Sequence, residues 1–109
     1  MSVRYFLAPQ AALDLLEIWR YIKKQSSLTL ADRVEATIRE RMAFLAGTPG
    51  AGHRRKDLTD HDVKFFPVYS YLIVYRPQTE PLQVAAILEF LLDAFPWDWI
   101  LKLSPIWRG

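Results

Sequence analysis

The chain contains no cysteine in its 109 residues. That absence excludes a disulfide framework, a thiolate metal site and a cysteine nucleophile, and it is typical of a protein of the reducing cytoplasm, the location we predict. Two histidines, His53 and His61, share one segment with aspartates only, which is a poor set of metal ligands. Glycine-rich phosphate loops and nucleotide-binding fingerprints are also missing. We therefore predict neither a metal nor another cofactor.

Long apolar runs are missing as well. No stretch reaches the roughly 20 apolar residues of a membrane span, and residues 1–5 lack the basic and apolar regions of a secretory signal. The net charge of +2 permits a nucleic acid or an acidic protein as partner but requires neither. A length of 109 residues with 51% apolar side chains fits one compact domain, residues 1–109.

Hydrophobic periodicity predicts a strand followed by two helices in the first half of the chain. Residues 3–8 form the predicted strand, which Pro9 closes, and residues 10–25 form an amphipathic helix. A capping box of Thr29 and Asp32 opens the second helix, which should end at Gly47. The predicted apolar stripes are Ala12, Leu15, Leu16, Trp19 and Ile22 on the first helix, and Ala31, Val34, Ile38, Met42 and Leu45 on the second.

The second half of the chain predicts three strands after an irregular connection. Residues 47–61 hold three of the four glycines and a basic cluster, which indicates a loop. Strands are predicted at residues 63–66, 71–76 and 82–90, with turns at 67–70 and 78–81. The near-continuous apolar run of the last strand indicates a strand that is central or covered on both faces. The predicted fold is α+β, in the order β-α-α-β-β-β, with a two-helix hairpin packed on a small antiparallel sheet.

The C-terminal tail, residues 91–109, is an unusual apolar and aromatic segment. It carries three of the four tryptophans, Trp97, Trp99 and Trp107. Large apolar residues are usually buried, so the tail is expected to cover the sheet as a final helix or arm. The alternative is an interface for a partner or for a second copy of the chain, because aromatic patches mark such sites. A membrane anchor is disfavoured because the usual basic face is missing.

Three segments in this order resemble the RelE/ParE toxin superfamily, especially its ParE and plasmid-stabilisation branch. They are residues 12–22, residues 31–52 and residues 63–76, the last reading Val-Lys-Phe-Phe-Pro-Val-Tyr-Ser-Tyr-Leu-Ile-Val-Tyr-Arg. The resemblance implies a toxin held inactive by a small cognate antitoxin, whose disordered segment folds on binding to apolar surfaces. The residues predicted to bind a partner are Leu15, Trp19, Ile22, Trp97, Trp99 and Trp107.

One segment departs from the family pattern. Where many ParE-like chains end the last strand with Ile-Leu-His-Gly-Arg-Arg-Asp, residues 87–93 read Ile-Leu-Glu-Phe-Leu-Leu-Asp. A basic end has become an apolar one that continues into the aromatic tail. Either the tail has a packing or binding role of its own, or the chain is an inactive remnant that retains antitoxin binding.

The superfamily implies two alternative activities. ParE-like members inhibit DNA gyrase by binding, which needs a surface and no acid-base pair, and this is the activity we predict. RelE-like members are ribosome-dependent endoribonucleases that cut mRNA, so they need a base, an acid and cations around the phosphate. For that alternative Glu89 is the candidate base and His53 the candidate acid, with Arg76 beside the phosphate. The basic candidates in the loop are Arg54, Arg55 and Lys56.

Other polar groups are predicted to serve the structure. Asp14 and Glu17 on the first helix, and the aspartates of the loop, have basic neighbours, which favours solvated charge balance over acid-base chemistry. Tyr69, Tyr71 and Tyr75 could stack on bases if their face of the sheet were open. Tyr71 and Tyr75 alternate in step with Ile73, however, so this face is expected to pack under the helices.

Overall fold

A computed structural model describes residues 5–89 of the chain. Two helices and four strands follow one another in the predicted order β-α-α-β-β-β, which confirms the α+β class. The elements are β1 (Tyr5–Leu7), α1 (Pro9–Gln25), α2 (Leu28–Gly47), a 3-10 turn (Pro49–Ala51), β2 (Lys64–Val68), β3 (Tyr71–Arg76) and β4 (Leu82–Glu89).

The sheet is mixed, with the strand order β1-β4-β3-β2. Strands β2, β3 and β4 are antiparallel neighbours, as predicted, but β1 lies parallel to β4, with Leu7 opposite Val84. The prediction of an antiparallel sheet is therefore wrong for β1. The helix hairpin separates β1 from the three later strands, so β1 can add beside β4 in a direction that no tight turn dictates. The predicted central position of β4 is confirmed, since it has a neighbour on each side.

Local sequence features explain where the two helices begin and where α2 ends. Pro9 occupies the first turn of α1, where a missing N–H costs nothing. The N-cap of α2 is Ser27, whose hydroxyl accepts from the Leu30 N–H at 3.0 Å. The predicted cap at Thr29 is wrong by two residues, because Ser27 already holds the extended conformation that a cap requires. Gly47 ends α2 as predicted.

The helices bury their apolar faces on one side of the sheet. All five residues of the predicted α2 stripe are buried. In α1 the buried residues are Ala11 and Leu15. Of the five residues of that predicted stripe, Ala12 and Leu16 are exposed, so the prediction is wrong for these two. Tyr71 and Tyr75 pack on the same core as α1 and α2, which confirms the expected face.

The other side of the sheet carries a second apolar cluster. Phe65, Leu72, Val74 and Leu88 belong to it, together with Leu58 and Val63 of the loop that precedes β2. This loop therefore packs against the sheet through apolar anchors and is more than a polar connection.

The hairpin between β2 and β3 is tighter than predicted. Strand β2 continues through Pro67 to Val68, which pairs with Tyr71, so the turn consists of Tyr69 and Ser70 alone. The prediction ended the strand at residue 66 because proline usually interrupts one. Pro67 is tolerated because β2 lies at the edge of the sheet, where its missing N–H breaks no ladder bond.

The described helices offer no membrane-crossing segment: none within residues 5–89 combines the length and the apolarity that a span requires. The predictions for residues 3–4, for Phe90 as the end of the last strand and for the tail at 91–109, with Trp97, Trp99 and Trp107, fall outside the described residues.

Candidate functional site

A groove of about 330 Å³ runs between α1 and α2. Its lining is mostly apolar, with one charged pair from α2. The lining residues are Leu7, Ala12, Leu15, Leu16, Trp19, Glu35 and Arg39. Arg39 and Glu35 form an ion pair at 3.3 Å one helical turn apart, so the charges at this rim are mutually compensated. An apolar cleft with a small polar rim suits an apolar side chain of a partner.

Trp19 is the largest side chain in the groove, and polar contacts fix its position. Its indole Nε1 donates to Asp32 Oδ1 at 2.8 Å, and Lys23 Nζ lies 5.1 Å from the ring centroid. A half-buried indole that is held in one orientation loses little conformational freedom when a partner binds. Trp19 is therefore preorganised as a contact residue.

Three of the residues predicted to bind a partner lie within residues 5–89, and they differ in accessibility. Trp19 lines the groove and remains accessible. Leu15 is only 2% exposed, so it forms the floor of the groove, and Ile22 is half-buried against the core. Leu16, absent from the predicted set, is 41% exposed and lines the groove. Its place on the predicted apolar stripe of the first helix is the sequence feature that could have identified Leu16 as a contact residue.

The basic loop before β2 balances most of its charge internally. Arg54 contacts Asp62 at 2.6 Å, and the guanidinium of Arg55 donates two hydrogen bonds to Asp57, at 3.0 and 2.8 Å. The bond from Arg55 lowers the pKa of Asp57 below its usual value, and the same contact raises the pKa of Arg55. The predicted charge balance is thus confirmed for Asp57 and Asp62.

The loop is also anchored to the sheet at its beginning. Tyr75, whose side chain is completely buried, donates its hydroxyl to the Pro49 carbonyl at 2.7 Å and accepts from the Gly52 N–H at 2.9 Å. Burial raises the pKa of Tyr75. His53 then pairs with Phe65 through two backbone hydrogen bonds, of 2.9 and 2.7 Å, along the outer edge of β2. The loop therefore lies in a defined position against β2 and β3.

Comparison with known proteins adds the family to this geometry. The family model described as ParE toxin of type II toxin-antitoxin system, parDE, matches residues 5–91. The chain belongs to the ParE toxin family. A solved structure from the chromosomal ParDE toxin-antitoxin system of P. aeruginosa has the same fold, with a TM-score of 0.69 and 18% identity, over 80% of this chain and 95% of that one. No curated protein matches the chain.

In this ParE family member the three leading candidates for ribonuclease chemistry lie apart. Arg76 lies opposite Gln83 at one end of the β3–β4 pair, and Glu89 lies opposite Tyr71 at the other. Along β3 the two ends are five residue steps apart, roughly 17 Å. His53 lies beyond the outer edge of β2, on the far side of β3 from Glu89. The candidate base and the candidate cations therefore do not surround one phosphate.

Glu89 instead has tyrosines as neighbours. Burial raises the pKa of Tyr71, and the nearby charges of Glu89 and Tyr21 raise it further. Within residues 5–89 no three His, Asp or Glu side chains are placed together to bind a metal ion.

Asp14 has a role in the sheet that sequence reasoning missed. Its carboxylate accepts the Ile87 N–H at 3.0 Å and the Gln10 side-chain amide at 2.7 Å. Strand β1 ends before it reaches Ile87, and the helix above supplies the acceptor that a longer β1 would have provided. The contact joins residues 73 positions apart, and no local pattern in the sequence indicates it.

Proposed function

We propose that the chain is the toxin of a type II toxin-antitoxin pair, that it inhibits DNA gyrase by binding to it, and that a cognate antitoxin neutralises it. Membership of the ParE toxin family supports the toxin role. The observation that supports neutralisation by an antitoxin is the groove between α1 and α2, which presents Trp19 and Leu16 in a preorganised apolar cleft.

The antitoxin is the proposed occupant of this groove. A segment that folds on binding gains its affinity from a few apolar anchors placed at helical spacing. Leu16 and Trp19 lie on one flank of α1 and receive such anchors, whereas the compensated pair of Glu35 and Arg39 adds specificity at the rim. A matching antitoxin segment would carry two or three large apolar side chains on one helical face.

Action by binding is favoured over bond cleavage by the positions of the candidate groups. Glu89 and Arg76 lie at opposite ends of the β3–β4 pair, and the arginines of the loop are engaged by Asp57 and Asp62. A protein inhibitor of gyrase needs no acid-base pair, and it would act in the cytoplasm.

The test is to express the chain without an antitoxin and to follow DNA supercoiling and translation separately. We expect loss of plasmid supercoiling and a DNA-damage response, with messages left intact. Purified toxin should also inhibit supercoiling by purified gyrase. Early arrest of translation with mRNA cut within codons would contradict the proposal in favour of a RelE-like ribonuclease. If the expressed and folded chain leaves growth unaffected, it is a remnant.

A further inference from the structure

The flank of α2 that faces away from the groove forms a second surface together with the β2–β3 hairpin. We call it the hairpin face. Its members are Arg33, Thr37, Arg41 and Phe44 of α2, and Phe66 and Tyr69 of the hairpin. The groove residues Glu35 and Arg39 lie on the other flank of the same helix, so α2 separates the two surfaces.

The aromatic residues of the hairpin face are largely accessible. Tyr69 is 61% exposed and Phe44 is 48% exposed, and the Phe44 and Phe66 rings pack with centroids 5.9 Å apart. The Tyr69 hydroxyl donates to Thr37 Oγ1 at 3.3 Å, which ties the tip of the hairpin to α2. Exposed aromatic side chains on a rigid support are characteristic of protein contact sites.

Tyr69 occupies its position at a conformational cost. Its φ of 55° lies in the left-handed region, where glycine is favoured, and among the described residues no other non-glycine has a positive φ. The core gains little in return, because the side chain is mostly in solvent. The two-residue turn between β2 and β3 requires this backbone conformation. Tyrosine costs more there than glycine would, and its presence indicates a use for the exposed ring outside the folded chain.

The cationic groups of this face are available. Arg33 and Arg41 lie on either side of Thr37, two helical turns apart, or roughly 12 Å. Both are exposed, and within residues 5–89 neither forms an ion pair. Arg39 in the groove and Arg54 and Arg55 in the loop are, by contrast, all engaged by carboxylates. Glu40 is the acidic residue on this flank of α2.

We propose that the hairpin face is the surface with which the toxin contacts its protein target, and that it takes an acidic patch of that target. The inference rests on the proposed function only in assuming that the toxin acts by binding a protein. Arginine and tyrosine are enriched among the residues that dominate binding energy, and free guanidinium groups pair with carboxylates in bidentate geometry. The exposed phenyl ring and Glu40 suit a protein surface better than a run of phosphates. An antitoxin in the groove would leave this face uncovered.

The test uses a double charge reversal, Arg33→Glu with Arg41→Glu, in the full chain. The matched control is Arg20→Glu with Lys24→Glu, which makes the same change of charge on the exposed surface of α1. We expect the first variant to need at least about tenfold more toxin for growth arrest and for inhibition of purified gyrase, since both charge contacts become repulsive. The control should match the parent, and both variants should bind the antitoxin with unchanged affinity.

A second variant, Tyr69→Gly, separates binding from folding. Glycine suits the positive φ, which offsets the loss of the hydrogen bond to Thr37, so the variant should melt close to the parent while its toxicity falls. Undiminished growth arrest by both the double reversal and Tyr69→Gly would overturn the proposal, whatever the target is. Growth arrest with normal supercoiling would instead overturn only the gyrase assignment, and loss of that arrest in the double reversal would still support the face.

Three other occupants have distinct signatures that would also overturn the proposal. Binding of a duplex DNA oligonucleotide that the double reversal abolishes would identify a nucleic-acid site. A dimer of the parent that the double reversal converts to a monomer, measured by light scattering, would identify a second copy. Deletion of residues 91–109 that abolishes growth arrest and also makes Arg33 or Arg41 newly accessible to trypsin would identify the tail as the occupant.

Discussion

At the scale of single residues, the contact between Gly52 and Tyr75 fixes the basic loop to the sheet. A β-carbon added to Gly52 would lie 2.5 Å from the Tyr75 hydroxyl oxygen and 2.9 Å from the Phe65 carbonyl oxygen. The close approach lets the Gly52 N–H reach the buried hydroxyl. The lack of space for a side chain requires glycine here, and the backbone conformation does not, since the φ of Gly52 is not positive.

We predict that Gly52→Ala destabilises the protein by about 2 kcal/mol, because the methyl group displaces Tyr75 or the β2 backbone and breaks a buried hydrogen bond. The matched control is Gly50→Ala, two residues earlier, where an added β-carbon has no neighbour within 4 Å. The control should change the free energy of unfolding by less than about 0.5 kcal/mol. Urea denaturation of both variants measures the difference. Equal stability of the two variants would show that the Gly52–Tyr75 contact is absent in solution.

At the scale of elements, two open stretches of strand are closed by groups outside the strands, one on the outer side of β2 and one on β4 beyond the end of β1. On β2 the outward groups of Phe65 bond to His53, and Pro67 has no N–H to offer. On β4 the Ile87 N–H beyond the end of β1 is taken by Asp14. Unpaired strand groups invite intermolecular strand addition, so these contacts protect the two stretches from it.

The helix hairpin leads to a prediction on antitoxin binding. Leu16→Glu would place a charge in the apolar groove, and we expect it to weaken binding of the cognate antitoxin at least about a hundredfold, as for a buried contact residue. Leu13→Glu is the control, since Leu13 is similarly exposed, at 47% against 41%, but does not line the groove. Calorimetry with the purified antitoxin measures both affinities, and growth rescue on co-expression reports the same difference in cells. Equal loss in the two variants would move the antitoxin to another surface.

At the scale of the whole molecule, the features set by local pattern were predictable and those set by distant contacts were not. The stripe of α2, the stop at Gly47 and the central position of β4 follow from periodicity and from local stop signals. The parallel placement of β1 and the Asp14–Ile87 bond depend on residues more than 70 positions apart.

The same division holds for the candidate site. Trp19 was identifiable as a large apolar residue on an amphipathic helix, and the groove it lines depends on how closely α2 approaches. Tyr69 carried no local signal for a positive φ, because tyrosine is a strand former and the turn was expected to be longer. The sequence alone could not predict that Arg76 and Glu89 lie far apart, because their positions depend on how β3 pairs with β4.

Two core tyrosines make the stability of the whole fold sensitive to alkali. Burial raises the pKa of both Tyr71 and Tyr75, and Glu89 adds to the effect at Tyr71. In the unfolded chain both phenols ionise near their usual pKa of about 10, whereas in the folded protein they stay protonated to higher pH. The unfolded state therefore releases protons first. The stabilisation is fully present below that pH and is lost as the pH rises toward the folded-state pKa values.

We accordingly predict that the contribution of the two tyrosines to the melting temperature is nearly constant up to about pH 9, and that the melting temperature falls steeply above about pH 10. Tyr75→Phe should lower the melting temperature at neutral pH, because the Gly52 N–H and the Pro49 carbonyl lose their shared partner. Its decline above pH 10 should nevertheless be shallower, since one of the two linked protons is gone. Circular dichroism melts, with phenolate absorbance followed in parallel, measure both effects. A parent and a variant with identical alkaline slopes would mean that Tyr75 ionises alike in the folded and unfolded chains, and that its hydroxyl is not held between the loop and the sheet.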